Sequence, residues 1–167
     1  MGCTTVVGNI VVMNIDDKSG TELTFLHSIR KVTGFVVVSN NNLTALPFPN
    51  LQIISGQNLA DFYNDPRLAL FVSQNSIYAP GLETIAGLNN LREVSRGEVL
   101  FHNNSIGIEA YVSRISWNDI VLSKMYDIQT QFQNFTVAEK EVIMLNRKFF
   151  NLVSTPFHIW SWTILNK

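Results

Sequence analysis

The chain has 167 residues, 46% of them hydrophobic and 15% charged, with a formal net charge of −1. That length supports one domain with a real core, and that balance excludes an intrinsically disordered chain. Near-zero charge without a basic run removes the usual footprint of a nucleic-acid or acidic-membrane binder, and the apolar FHIWSWTIL (157–165) is too short to span a bilayer as a helix.

The chain begins almost directly in strand-like sequence, without a charged-then-apolar leader. Three readings stay open on that ground: an intracellular protein, a mature or excised fragment, or an incomplete gene product. The first predicted strand lies in GNIVVMNI (8–15), with a glycine at its entrance and an asparagine at its exit. Ile29, Val32 and Gly34 then lead into a second, GFVVVSNN (34–41). Leu51, Ile54 and Gly56 repeat the lead-in, but QNLADFYNDPRL (57–68) intervenes before the strand ALFVSQN (69–75). Leu91, Val94 and Gly97 repeat it again, with one extra residue ahead of the glycine, and GEVLFHNN (97–104) follows.

A short strand, an asparagine-rich turn and a return segment of roughly constant total length form one coil of a solenoid. One coil cannot bury its apolar face alone, whereas stacked coils share a continuous core. Glycine suits the sharp bend into each strand. Asn40, Asn41, Asn75, Asn103 and Asn104 stand at strand exits, where the side chain bonds nearby backbone and tolerates left-handed φ; they are expected to form a turn ladder.

Aligned on their turns, the four strands place Ile10, Val12, Val36, Val38, Leu70, Val72, Val99 and Phe101 on one face, the expected core. The opposite face carries Val11, Met13, Phe35, Val37, Ala69, Phe71, Leu100 and His102, which solenoid phase assigns to solvent. An apolar face there marks a binding surface or is covered by a neighbouring segment, such as a C-terminal helix.

The tail reads differently. Thr136 and Glu139 have capping-box spacing, and Ala138, Val142, Leu145 and Phe149 share one helical face up to about Phe150, before Pro156. Trp160, Trp162 and Ile164 alternate in a short extended segment. The expected division is a solenoid over 1–125 and a helix-plus-extended segment over 126–167 that covers the last coil, since repeat stacks need capped ends.

Taken together, CTTVVGNIVV, LTFLHSIRKVTGFVVV, LPFPNLQIISG, LALFVSQN, GLETIAGLNNLREVSRGEVLFHNN and YVSRISWNDIV run in the order found in the receptor L domain, and residues 3 to 121 resemble that family of receptor ectodomain modules. The resemblance implies a β-rich α/β solenoid: a right-handed parallel β-helix with leucine-rich-repeat character, in an extracellular setting. It implies recognition of a protein or peptide ligand by the outer sheet face. Val11, Met13, Phe35, Val37, Phe71 and Leu100 would bury against the partner, with His102 and Glu98 tuning the rim. Trp117 matches the tryptophan that closes the end of the solenoid. Two positions depart from the family. Ala110 stands where it usually has a cysteine before Tyr111, and Cys3 resembles a cysteine whose partner lies upstream.

Sequons at Asn42, Asn103 and Asn134 are the candidate glycosylation sites. Asn103 is the weakest, because an inward turn-ladder side chain cannot carry a glycan. No catalytic residue, metal ligand set or cofactor is expected. Asp16 with Asp17 and Asp61 with Asp65 read as solvated turn or loop charges, and His27, His102 and His158 lack metal-ligand spacing. The expected function is a non-catalytic binding module with a protein ligand, no nucleic acid and no transmembrane segment in the chain; a homodimer through the apolar face is a further expectation. A carbohydrate-acting β-helix hydrolase or lyase and an intracellular repeat scaffold are the alternatives.

Overall fold

The computed structural model describes residues 2–16, 21–62, 65–75, 82, 84–102, 104, 108, 111–112 and 114–123. The tail helix expected from Thr136 and the segment holding Trp160 and Trp162 lie outside the described residues, as do the sequons Asn103 and Asn134.

The repeating lead-in and strand become two parallel sheets. In chain order the strands are β1 (Thr5–Val6), β2 (Ile10–Met13), β3 (Lys31–Val32), β4 (Val36–Ser39), β5 (Ile53–Ile54), β6 (Ala60–Phe62), β7 (Asp65–Ser73), β8 (Glu93–Val94) and β9 (Glu98–His102). The short strands β1, β3, β5 and β8 form a small sheet with Val6, Val32, Ile54 and Val94 in one row, and Val121 bridges Val94 at its end. The larger sheet is β2, β4, β7 and β9, also parallel, and β6 pairs antiparallel to the first part of β7. Among the described residues the helical segments are 3-10 turns at Thr21–Ser28 and Ala86–Leu88, helical positions at Ile108, Tyr111 and Val112, and a short α-helix, α1, at Trp117–Ile120.

β-branched residues favour this arrangement because they pack well on a pleated surface. All eight residues of the expected core face belong to one buried cluster, together with Val6, Val32, Ile54 and Val94 from the small sheet. The two sheets therefore share a core. Each such side chain contributes about 1.5–3 kcal/mol when fully withdrawn from water. Trp117 closes the end of that cluster. It is buried, its ring lies 5.6 Å from that of Phe101, and its Nε1 donates to the Val112 carbonyl at 2.9 Å.

Strand exits are set by left-handed residues, Asn14, Asn40 and Gln74, with φ of 60°, 58° and 54°. Behind the last two lies the asparagine ladder. Asn41 Nδ2 donates to Val12 O (3.0 Å) and Asn75 Oδ1 (3.0 Å); Asn75 Nδ2 donates to Val38 O (2.9 Å) and Asn104 Oδ1 (3.1 Å); Asn104 Nδ2 donates to Val72 O (2.9 Å). Each side chain thus ties one turn to the strand exit of the repeat before it.

Glycine is required at position 56 on two counts. Its φ is +62°, and a Cβ there would fall on the Arg96 carbonyl oxygen. Left-handed backbone costs an L-residue about 1–2 kcal/mol, and the collision with main chain adds to it. Gly56→Ala is therefore expected to lower stability by about 2 kcal/mol or more, read as a lower midpoint in urea unfolding. An unchanged midpoint would contradict this backbone geometry.

Candidate functional site

Parallel register brings the outer-face residues into rows. Val11, Val37, Phe71 and Leu100 are neighbours across β2, β4, β7 and β9, and Met13, Ser39, Ser73 and His102 form the next row. Phe35 stands just ahead of β4. The apolar side chains form a second cluster separate from the main core: Val37, Phe71, Ala60 and Leu68 are buried, and Val11, Met13, Phe35 and Leu100 are half-buried against them.

The depth of this cluster differs from the solvent-facing reading of the sequence pattern. Val37 is 0% exposed and Phe71 2%. Glu98 and His102, expected at a rim, are 6% exposed each. The physical reason lies partly in the inserted segment 57–68, whose Ala60 and Leu68 pack on the face. A register shift between Leu68 and Leu70 is the second cause. It sets Leu68 opposite Glu98 and turns Ala69, expected on the outer face, into the main core. A bulge of this kind adds one residue to one strand and leaves no trace in an alternating pattern.

Polar groups border the apolar row. Ser39 and Ser73 share a hydrogen bond between their Oγ atoms at 2.8 Å, inside the row that ends at His102. Arg67 Nε lies 3.6 Å from Glu98 Oε1, with the arginine side chain 41% exposed and the carboxylate 7%. Ala60, Leu68, Ser39, Ser73 and Arg67 are members of this face that sequence reasoning missed. Only the two serines carried a usable signal, their equivalent positions at strand ends.

The other candidate positions are separate from this face. Asn42 is buried and its Nδ2 donates to Asp16 Oδ1 at 2.7 Å, so as folded its amide is engaged and not presented to solvent. Cys3 is a half-buried free thiol whose Sγ lies 3.0 Å from the Thr5 carbonyl oxygen. Among the described residues no three His, Cys, Asp or Glu side chains gather as a metal site, and no helix is long and apolar enough to cross a membrane.

A sequence model of the receptor L domain family matches residues 2–121. The receptor tyrosine-protein kinase erbB-4 of Mus musculus is 38% identical over 120 residues, covering 71% of this chain and 9% of the relative. The epidermal growth factor receptor of Drosophila melanogaster is 34% identical over 140 residues, 83% of this chain and 9% of the relative. That of Gallus gallus is 30% identical over 119 residues, 71% of this chain and 16% of the relative. The matches thus span about a tenth of the length of the first two.

Proposed function

The chain belongs to the receptor L domain family, and from that premise we propose that it is a non-catalytic extracellular module that binds a polypeptide ligand on the outer face of its large sheet. The observation that carries the reading is the second apolar cluster on this face. Val11, Met13, Phe35 and Leu100 remain half-exposed on a support of buried Val37 and Phe71. Half-exposed apolar side chains around a buried apolar centre, held by a rigid sheet, are groups a protein partner desolvates. His102 and Glu98 act beneath this surface, not at its rim, because both are buried.

The finer architecture belongs to the same proposal. The strands wind as a right-handed β-helix within residues 1–125. Apart from antiparallel β6, the chain visits the small and large sheets in turn with its strands parallel, which supports that winding. The family membership and the receptors among its relatives support an extracellular setting.

Because two relatives are epidermal growth factor receptors by name, epidermal growth factor is the probe for a direct titration. The wild-type chain is expected to bind it saturably. The double variant Phe35→Ser, Leu100→Ser is expected to bind at least about tenfold more weakly, equivalent to about 1.4 kcal/mol. Both side chains are half-buried, so the thermal midpoint should move by only a few degrees. Equal binding by the variant, or no saturable binding by the wild type, contradicts the proposal.

A further inference from the structure

We infer that the outward side of the small sheet is a docking strip for a linear sulfated polysaccharide. Of the six described cations, Arg30, Lys31, Arg67, Arg92, Arg96 and Arg114, four lie on this sheet or its borders. The fold assembles them from distant parts of a chain whose net charge is −1.

Backbone hydrogen bonds fix their placement. Arg30 N donates to Thr4 O (2.7 Å), Gln52 N to Arg30 O (2.8 Å) and Arg92 N to Gln52 O (2.9 Å), so Thr4, Arg30, Gln52 and Arg92 form one rung. Two strand spacings separate Arg30 from Arg92, about 10 Å. Lys31 sits in the next row, between Thr5 and Ile53. Arg96 is the extra residue ahead of the last glycine. It falls on the rung that Gly8, Gly34 and Gly56 occupy in the other repeats, with Gly34 N bonded to Gly8 O and Gly56 N to Gly34 O. Four residues of extended chain put it about 13 Å from Arg92. Arg30, Arg92 and Arg96 are exposed and Lys31 is half-buried.

None of the four makes an ion pair among the described residues. Among the described residues the acids on this side are Glu93, whose Oε1 accepts from Ser95 Oγ at 2.6 Å, and Asp119 on α1, just ahead of the Val121 bridge. Among the described residues, four cations against two carboxylates leave the strip positive.

The surroundings of the cations select the partner. Between them lie Thr4, Gln52, Thr33, Ser55 and Ser95, hydroxyl and amide groups that bond a hydrated, hydroxyl-rich chain. A protein partner needs an apolar, desolvated centre. Here the apolar side chains among the described residues are half-buried Ile53 within the strip and the exposed Val7 and Leu122 at its two ends, Val7 on the first repeat and Leu122 beyond β8, where its N donates to Val94 O at 3.0 Å. Arginine forks spaced about 10–13 Å apart suit successive anionic groups on an extended polymer, each held by paired N–H donors.

The test is retention of the full chain on immobilised heparin. The wild type is expected to be retained at physiological salt and released as salt rises, because exposed charges are screened. The triple variant Arg30→Ser, Arg92→Ser, Arg96→Ser should flow through with an unchanged unfolding midpoint. Arg114→Ser, which removes an exposed cation outside these rungs, should be retained like wild type. Three results overturn the inference. The triple variant is retained like wild type; the wild type leaves heparin at no higher salt than a plain sulfonate exchanger; or it partitions onto phosphatidylserine vesicles and the triple variant does not, which reassigns the strip to a lipid surface. Growth-factor titration of the triple variant separates this inference from the proposed function, since the strip and the large sheet's outer face share no residue.

Discussion

Asn75→Ala is expected to lower the thermal midpoint by on the order of 10 °C, more than any other single asparagine of the described chain. Asn75 is 0% exposed and stands in the middle of the ladder. Its Nδ2 donates to Val38 O and Asn104 Oδ1, and its Oδ1 accepts from Asn41 N (3.2 Å) and Asn41 Nδ2. Truncation strands the Val38 carbonyl and the Asn41 amide in a buried turn. Each stranded group costs about 1–3 kcal/mol, so the total is about 3–5 kcal/mol with the side-chain partners included. For a chain of this size a kcal/mol moves the midpoint by about 2–4 °C. Asn50→Ala is the control: Asn50 is exposed and, among the described residues, donates to the His27 carbonyl alone, so its loss exposes that oxygen to water instead of stranding it. Equal shifts for the two variants would show that the ladder does not tie the repeats together.

Phe71→Asp is expected to abolish cooperative unfolding altogether. Removing a buried phenylalanine costs about 3–5 kcal/mol, and a carboxylate left among apolar side chains adds several more or must take up a proton. Phe71 touches the side chains of the second cluster, at 2% exposure, and the total approaches the whole stability of a typical domain, about 5–15 kcal/mol. Phe71→Leu, which keeps an apolar filling, should retain a cooperative transition at a lower midpoint. If Phe71→Asp unfolds like wild type, the ring is open to water and the large sheet's outer face is not built as described.

These two residues also mark where sequence and structure part. The inward row was legible because a period of two, aligned on recurrent turns, leaves little choice about which of Ile10, Val12, Val36 and Val38 face inward. The turn ladder was legible for the same reason, since Asn41, Asn75 and Asn104 recur at one phase and asparagine satisfies a turn backbone better than most residues. Burial of the outer row was not legible. It depends on Ala60 and Leu68, which belong to an insertion without periodicity, and on a bulge that moves Ala69 inward. Arg96 is an intermediate case: the extra residue was visible as a slip in the repeat, but its place on the glycine rung follows only from the hydrogen bonds of Gly34 and Gly56.

The two sheets thus offer different chemistry from one core. The large sheet carries a partly exposed apolar cluster, the proposed polypeptide site, and the small sheet a cationic, hydroxyl-rich strip. The positions that set both, Val37 and Phe71 beneath one and the rung from Thr4 to Arg92 beneath the other, are held by main-chain register and not by mobile loops. Binding at either place should therefore proceed with little backbone rearrangement.

Amide hydrogen exchange of the chain, with and without saturating epidermal growth factor, reads the large sheet's outer face directly. Exchange is expected to slow in β2, β4, β7 and β9 and to stay unchanged in β1, β3, β5 and β8. Protection confined to the small sheet, or no protection of the large sheet at saturation, would contradict the proposed polypeptide site.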